Sequence, residues 1–267
     1  MKFPIALQLY SVREDMEKDF LGTLKKVKEL GYEMVEFAGL FDHSAKEVKK
    51  MCEEVGLIPI SAHVSCSSMA EDLNVVNDYA EIGCKYVVIP WNDRLAGHPK
   101  YDEFKADAEK IAERAESLGM KLCYHNHDFE FEKVDGEYKL DILYKDFPFM
   151  YPQIDTCWAK VGGEDPAEYI KKYAGRAEIL HLKDFVGQKS NNMYGLIGAD
   201  GKKDEGPVEE FDFRPVGYGV QDFNKILASA EEIGIKYVVV EQDRPCLDKT
   251  PLECAEMSVN YLKSIMD

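Results

Sequence analysis

The stretch that decides the fold is residues 231–243, EEIGIKYVVVEQD. An acidic helix ends near Ile233, Gly234 follows it, and Tyr237–Val240 then runs apolar on both faces into the polar Glu241, Gln242 and Asp243. A glycine after the last apolar helical residue marks a helix end closed by a left-handed residue, which costs glycine little. A strand apolar on both faces belongs to a parallel sheet covered by helices. The same unit recurs upstream: LKKVKELGYEMVEFAG at 24–39, EEVGLIPISAHVS at 53–65, EIGCKYVVIPW at 81–91 and AESLGMKLCYHNH at 115–127. Gly31, Gly56, Gly83 and Gly119 hold the position of Gly234.

Working outward from these units, the pattern predicts eight strands near 4–9, 33–37, 58–64, 86–90, 120–127, 150–155, 177–182 and 236–241. Helices are expected near 16–30, 44–55, 70–82, 101–118, 165–174, 221–233 and 250–265, with a short one within 137–146. Eight βα units in a chain of 267 residues predict an α/β fold, a single-domain (β/α)8 TIM barrel over 1–267. An open doubly wound sheet is the alternative, but no Gly-rich phosphate loop follows the first strand. One long irregular stretch, about 186–218, is expected as a loop near the mouth of the barrel, acting as a lid or an interface.

The totals exclude several classes of partner. A formal charge of -17 repels nucleic acid and anionic membrane surfaces. No uncharged run approaches a membrane span, and the opening MKFPIALQLYSVRED has no long apolar segment of the signal-peptide kind. The seven Cys are scattered without CxxC spacing and read as reduced thiols of a cytoplasmic protein.

In a barrel of this kind the chemistry sits where strands end. Those positions hold Glu36 after strand two, His63 after three, and Trp91 and Asn92 after four. Strand five ends in His125, His127 and Glu130, and strand six in Asp155 and Trp158. Strand seven ends in His181, Lys183 and Asp184, and strand eight in Glu241 and Asp243. His, Asp and Glu without Cys make a hard-to-borderline donor set, suited to one divalent ion (Mn, Mg, Co or Zn) in an open site.

Four motifs now carry a resemblance: YHNHDFEF (124–131), IDTCWAKVGGEDPAEYIKKYAGR (154–176), ILHLKDF (179–185) and VVVEQD (238–243). In this order they resemble the xylose isomerase-like TIM-barrel family, which includes sugar isomerases and epimerases, inosose-handling enzymes and endonuclease IV. The resemblance implies a metal held by a strand-five carboxylate, Asp155, His181 and Glu241. The strand-five place holds His125, a departure from the family pattern. Two assignments follow. Either His125 is a general base and Glu130 completes the metal shell, or His125 is itself a ligand and Glu130 meets substrate hydroxyls.

The implied chemistry is proton abstraction beside a carbonyl, with His125, Glu241 and Lys183 as catalytic groups. Glu36, His63, Trp91, His127, Trp158 and Asp243 are expected to contact substrate. The leading expectation is a sugar isomerase or epimerase acting on a small carbohydrate. The second is a lyase or dehydratase acting on an inosose or a 3-keto-glycoside. A DNA-repair endonuclease conflicts with the acidic charge, and a catalytically inactive binding subunit conflicts with the retained Asp155, His181 and Glu241. A homo-oligomer is expected by analogy alone.

Overall fold

A computed structural model describes residues 3–189, 193 and 211–266. Its eight parallel strands close into a barrel. They are β1 (Ile5–Gln8), β2 (Met34–Phe37), β3 (Ile58–His63), β4 (Tyr86–Ile89), β5 (Lys121–His125), β6 (Tyr151–Asp155), β7 (Ile179–Leu182) and β8 (Tyr237–Val240). Each predicted strand is present. The predicted glycines close their helices with φ of 99° at Gly31, 73° at Gly56, 109° at Gly83, 73° at Gly119 and 83° at Gly234. These are backbone conformations in which a side chain would be strained.

The expected helices are not all continuous, and the one expected at 16–30 is two pieces, Arg13–Lys18 and Phe20–Leu30. The helix expected at 70–82 is two pieces, Cys66–Glu71 and Asn74–Ile82. A further helix, Thr156–Val161, starts directly at the end of β6, capped by the Asp155 carboxylate on the Trp158 N–H. Where the stretch expected as one loop over 186–218 is described, its two ends pair: Asp184–Gly187 runs antiparallel to Phe211–Arg214. Phe185, Phe211 and Phe213 close around Trp158 there. The loop residues 190–192 and 194–210 lie outside the described residues.

Alternation along the strands sorts the bore into layers. Outward residues such as Leu7, Val35, Val87, Leu122, Ile154, Leu180 and Val238 pack under the helices. Inward residues Ala6, Met34, Ile60, Val88, Cys123, Ile179 and Val239 plug the middle. The next inward residue towards the C-terminal end is polar on most strands: Gln8, Glu36, His125, Gln153 and His181. Register sets their neighbours, with Gln8 beside Glu36, His125 beside Gln153, and His181 beside Asp155.

Candidate metal centre and active site

The polar layer is built on Glu36. Its carboxylate is fully buried and accepts from Gln8 Nε2 (2.7 Å), Gln153 Nε2 (2.6 Å) and Ser61 Oγ. His181 Nε2 lies 2.7 Å and His63 Nε2 3.0 Å from the same carboxylate. His63 Nε2 also lies 2.8 Å from Gln153 Oε1. Because Gln153 spends its amide N–H on Glu36, its oxygen is an acceptor there, so both histidines carry a proton on Nε2. Burial alone would raise the Glu36 pKa; the two histidines outweigh it and hold the group well below the usual carboxylate range.

His181 is thereby aimed. With Nε2 on Glu36, its Nδ1 faces Glu241 Oε2 at 3.2 Å. Burial would lower the His181 pKa, but Glu36 and then Glu241 push it up to about 10, so alone the ring holds both protons. A metal ion at Nδ1 would replace one of them while Glu36 keeps the other, the arrangement in which an outer carboxylate orients a metal-binding imidazole.

His125, Asp155, His181 and Glu241 each offer one donor atom, and these lie within 4.8 Å of one another. Donors sharing an ion at about 2.1 Å stand about 3 to 4.2 Å apart. The measured pairs, 3.2 Å for His181–Glu241 and 4.0 Å for His125 Nε2–Asp155 Oδ2, fall in that span. Asp155 Oδ1 caps the helix at Trp158, whereas the buried Oδ2 has no hydrogen-bond partner. An orphan carboxylate oxygen in a dry site is costly unless something binds it. Burial pushes Asp155 up to about 6 against the pull of Lys183 and His181. A divalent cation would remove both penalties, so the residues present fit one.

Lys183 stands beside this group. Its buried ammonium is 3.0 Å from Glu241 Oε2 and 2.7 Å from Asp243 Oδ2. It lies 5.3 Å from the ring centres of Trp158 and Phe213. Burial would lower its pKa; Asp243 and Glu241 hold it well above the ordinary lysine value. His127, on the same face as His125 one pleat further, is pushed down to about 3 by burial and then by Lys183, and is therefore neutral.

These groups floor a cavity of about 870 Å³ lined by His63, His125, His127, Lys183, Glu241 and Asp243, with Tyr10, Trp91 and Phe129 on its walls. That is the size of a small-molecule site. Among the residues singled out from sequence, His125, Asp155, His181 and Glu241 come together, and Lys183, His127, His63, Trp91 and Asp243 reach the same cavity.

Three do not take the expected place. Glu130 is fully buried, with Oε1 accepting from Tyr124 OH (2.7 Å) and Oε2 from His127 N–H (2.8 Å). Both oxygens brace the β5 loop, and Glu130 is not in the ligand cluster. Glu36 lies under the site, holding His63 and His181 instead of facing the cavity. Trp158 is fully buried, stacked on Phe211 at 6.0 Å beneath Lys183, with no face open for a sugar. Gln8, Ser61 and Gln153 were missed; the polar residues that end IALQ and interrupt YPQID were the available signal.

The fold and this layer define a parallel (β/α)8 barrel with a His/carboxylate cluster at its C-terminal mouth. More closely, the chain belongs to the xylose isomerase-like TIM barrel family, whose model matches residues 24–265. It is 25% identical over 269 residues to an inosose dehydratase of Geobacillus kaustophilus, covering 91% of this chain and 86% of that protein. An inosose dehydratase of Clostridium beijerinckii is 28% identical over 160 residues, spanning 58% of this chain but only 51% of the relative. The fold is also that of a sugar phosphate isomerase/epimerase from Parabacteroides distasonis (TM-score 0.80, 22% identity, 99% and 94% of the two chains). Among the described residues no helix is long and apolar enough to cross a membrane.

Proposed function

We propose that the chain is a metal-dependent lyase that dehydrates a small polyhydroxylated ring ketone of the inosose type. The observation that carries this reading is the cluster of His125, Asp155, His181 and Glu241, of which His125 and Glu241 line the cavity together with Lys183 and His127. The similarity to inosose dehydratases supports the substrate type.

In this reading the four cluster residues hold one divalent ion, and His125 is a ligand in place of the family's strand-five carboxylate. The ion, when bound, supplies Lewis-acid polarisation of the substrate carbonyl. Glu241, the cluster carboxylate that also lines the cavity, accepts the proton from the carbon beside that carbonyl, and His127, neutral, holds a substrate hydroxyl by a hydrogen bond. Lys183, charged and fixed by Glu241 and Asp243, gives a proton to the hydroxyl leaving the next carbon. The C–H electrons form the new double bond, the C–O bond breaks, and water departs. Trp158 and Phe213 shield the ammonium from solvent and hold it over the reacting carbons.

The second reading is epimerisation or isomerisation by the same proton abstraction, favoured by the fold likeness to an isomerase/epimerase. One experiment separates them. The protein is loaded in turn with Mn, Co, Mg and Zn, analysed for bound metal, and incubated with 2-keto-myo-inositol in deuterated water. Loss of water with a rising ultraviolet enone absorbance is the expected result. Deuterium uptake without loss of mass as water moves the assignment to an epimerase, and no bound metal at all defeats both.

A further inference from the structure

All seven cysteines are free and buried, and two of them meet. Cys246 lies in the loop after β8, and Cys254 in the first turn of the helix Pro251–Met266. Their thiols are hydrogen-bonded to each other, and Cys254 Sγ also lies 3.9 Å from the Cys246 carbonyl oxygen. The thiol–thiol bond holds Cys254 below the ordinary thiol value and pushes Cys246 up, so Cys254 is the one that ionises. Burial pushes the other five the opposite way, with Cys66 up to about 11 and Cys52 up to about 12. The thiolate is the nucleophile, so reactivity is concentrated at Cys254.

A small oxidant has a place to sit beside it. A cavity of about 10 Å³, the room of about one water molecule, is lined by Cys254, Ser11, Gln242, Pro245 and Ser258. Gln242 leaves its buried Oε1 without a hydrogen-bond partner, an acceptor for an O–H. The turn after Cys246 is also strained. Leu247 and Asp248 hold φ of 58° and 55°, a region that residues with side chains rarely adopt. Leu247 is half exposed, so this turn can shift without opening the core.

Cys246 is tied to the site as well. Its sulfur accepts from Gln242 Nε2 at 3.5 Å and from Arg214. Gln242 stands between Glu241 and Asp243, the two carboxylates that hold Lys183. Arg214 ends the strand whose Phe213 ring centre is 5.3 Å from the Lys183 ammonium. A Cys246 sulfur drawn onto Cys254 gives up both of these bonds at once.

We infer that Cys246 and Cys254 are a redox switch: a peroxide closes them into a disulfide, and the β8 loop then shifts Lys183 from its working position. The Cys254 thiolate attacks one peroxide oxygen. The S–O bond forms, the O–O bond breaks, and hydroxide takes a proton and leaves as water. The Cys246 sulfur then attacks the Cys254 sulfur. The S–S bond forms, the S–O bond breaks, and a second water leaves with the Cys246 proton. The two thiols lose two electrons and one peroxide gains them. The effect on turnover rests on the reading of the cluster as the reacting centre; the disulfide does not.

The folded, metal-loaded protein is treated with hydrogen peroxide, alkylated and mapped by peptide mass. A Cys246–Cys254 disulfide that a phosphine reductant reverses is expected, with the other five thiols still free. In Cys246→Ser the Cys254 sulfenic acid should persist and be captured by dimedone. Both thiols left free in the wild type, or another cysteine oxidised first, overturns the pair. The oxidised protein should keep its metal and its KM while kcat for dehydration falls by about ten- to a hundredfold, and Cys254→Ser should be insensitive to peroxide. A disulfide with unchanged kcat, or an equal loss in Cys254→Ser, overturns the switch. Trp158 gives a readout without turnover. In Trp91→Phe it is the sole tryptophan, and its emission should shift on oxidation and return on reduction. That shift in a protein that dehydrates nothing means the proposed chemistry fails and the switch stands. A disulfide with no shift overturns the coupling.

Discussion

The two ends of the barrel hold charge in opposite ways. At the N-terminal end Glu178 accepts from Lys121 Nζ (2.9 Å), Lys236 Nζ (2.6 Å) and Tyr86 OH (2.6 Å), and Lys85 Nζ reaches Tyr237 OH at 2.7 Å. The carboxylate there has two cations and a hydroxyl. At the C-terminal end a similar density of charge leaves Asp155 Oδ2 and His125 Nδ1 without partners, and four donors converge on one point. A closed network holds a fold together, whereas an open one offers its donors to a ligand. The apolar plug between them keeps the two systems independent.

That contrast can be broken in order of effect. His181→Ala removes a central donor and should abolish stoichiometric metal binding, with activity down roughly a thousandfold or more. Elemental analysis with kinetics checks it, and full metal retention would mean the open network has another purpose. Lys183→Met should keep the metal and lower kcat by about 10²- to 10³-fold, since the lost charge acts on the reacting oxygens. Glu36→Gln leaves the cluster residues intact but loosens His181. Metal affinity should fall by about 10- to 100-fold, measured by competition with a chelating dye.

The smallest effect is at the closed end. Burial would raise the Glu178 pKa, but Lys236, Tyr86 and Lys121 outweigh it and hold the group at about 2. A carboxyl depressed in the folded state stabilises fully above its unfolded value, and that contribution fades as pH falls from about 4.5 towards 2. Glu178→Gln should therefore lower Tm at pH 6, by about 2–4 °C per kcal/mol lost, and the gap from wild type should shrink at pH 3. Catalysis at pH 7 should be unaffected, because the apolar plug separates this network from the cluster.

The closed barrel was legible because its signal is local and repeated: a glycine after a helix, then a doubly apolar strand. Asp155, His181 and Glu241 were legible as polar groups ending such strands. Glu130 was not, because neighbours in sequence do not show that Tyr124 OH and the His127 N–H occupy its oxygens. Glu36 and Trp158 follow apolar runs in the sequence just as His63 and Trp91 do, yet lie beneath the cavity floor, and only packing decides on which side of that floor a residue sits. The pairing of Phe211–Arg214 with Asp184–Gly187 escaped notice because its partners are far apart in sequence and FDFR is short.

The cradle beneath the two histidines has a further consequence. Gln8, Ser61 and Gln153 lock Glu36, and Glu36 locks His63 and His181, using protein groups alone. The receptacle is thus finished when the chain folds, unlike small domains that collapse around their ion. A divalent ion held there would be an exchangeable part that the fold itself does not need.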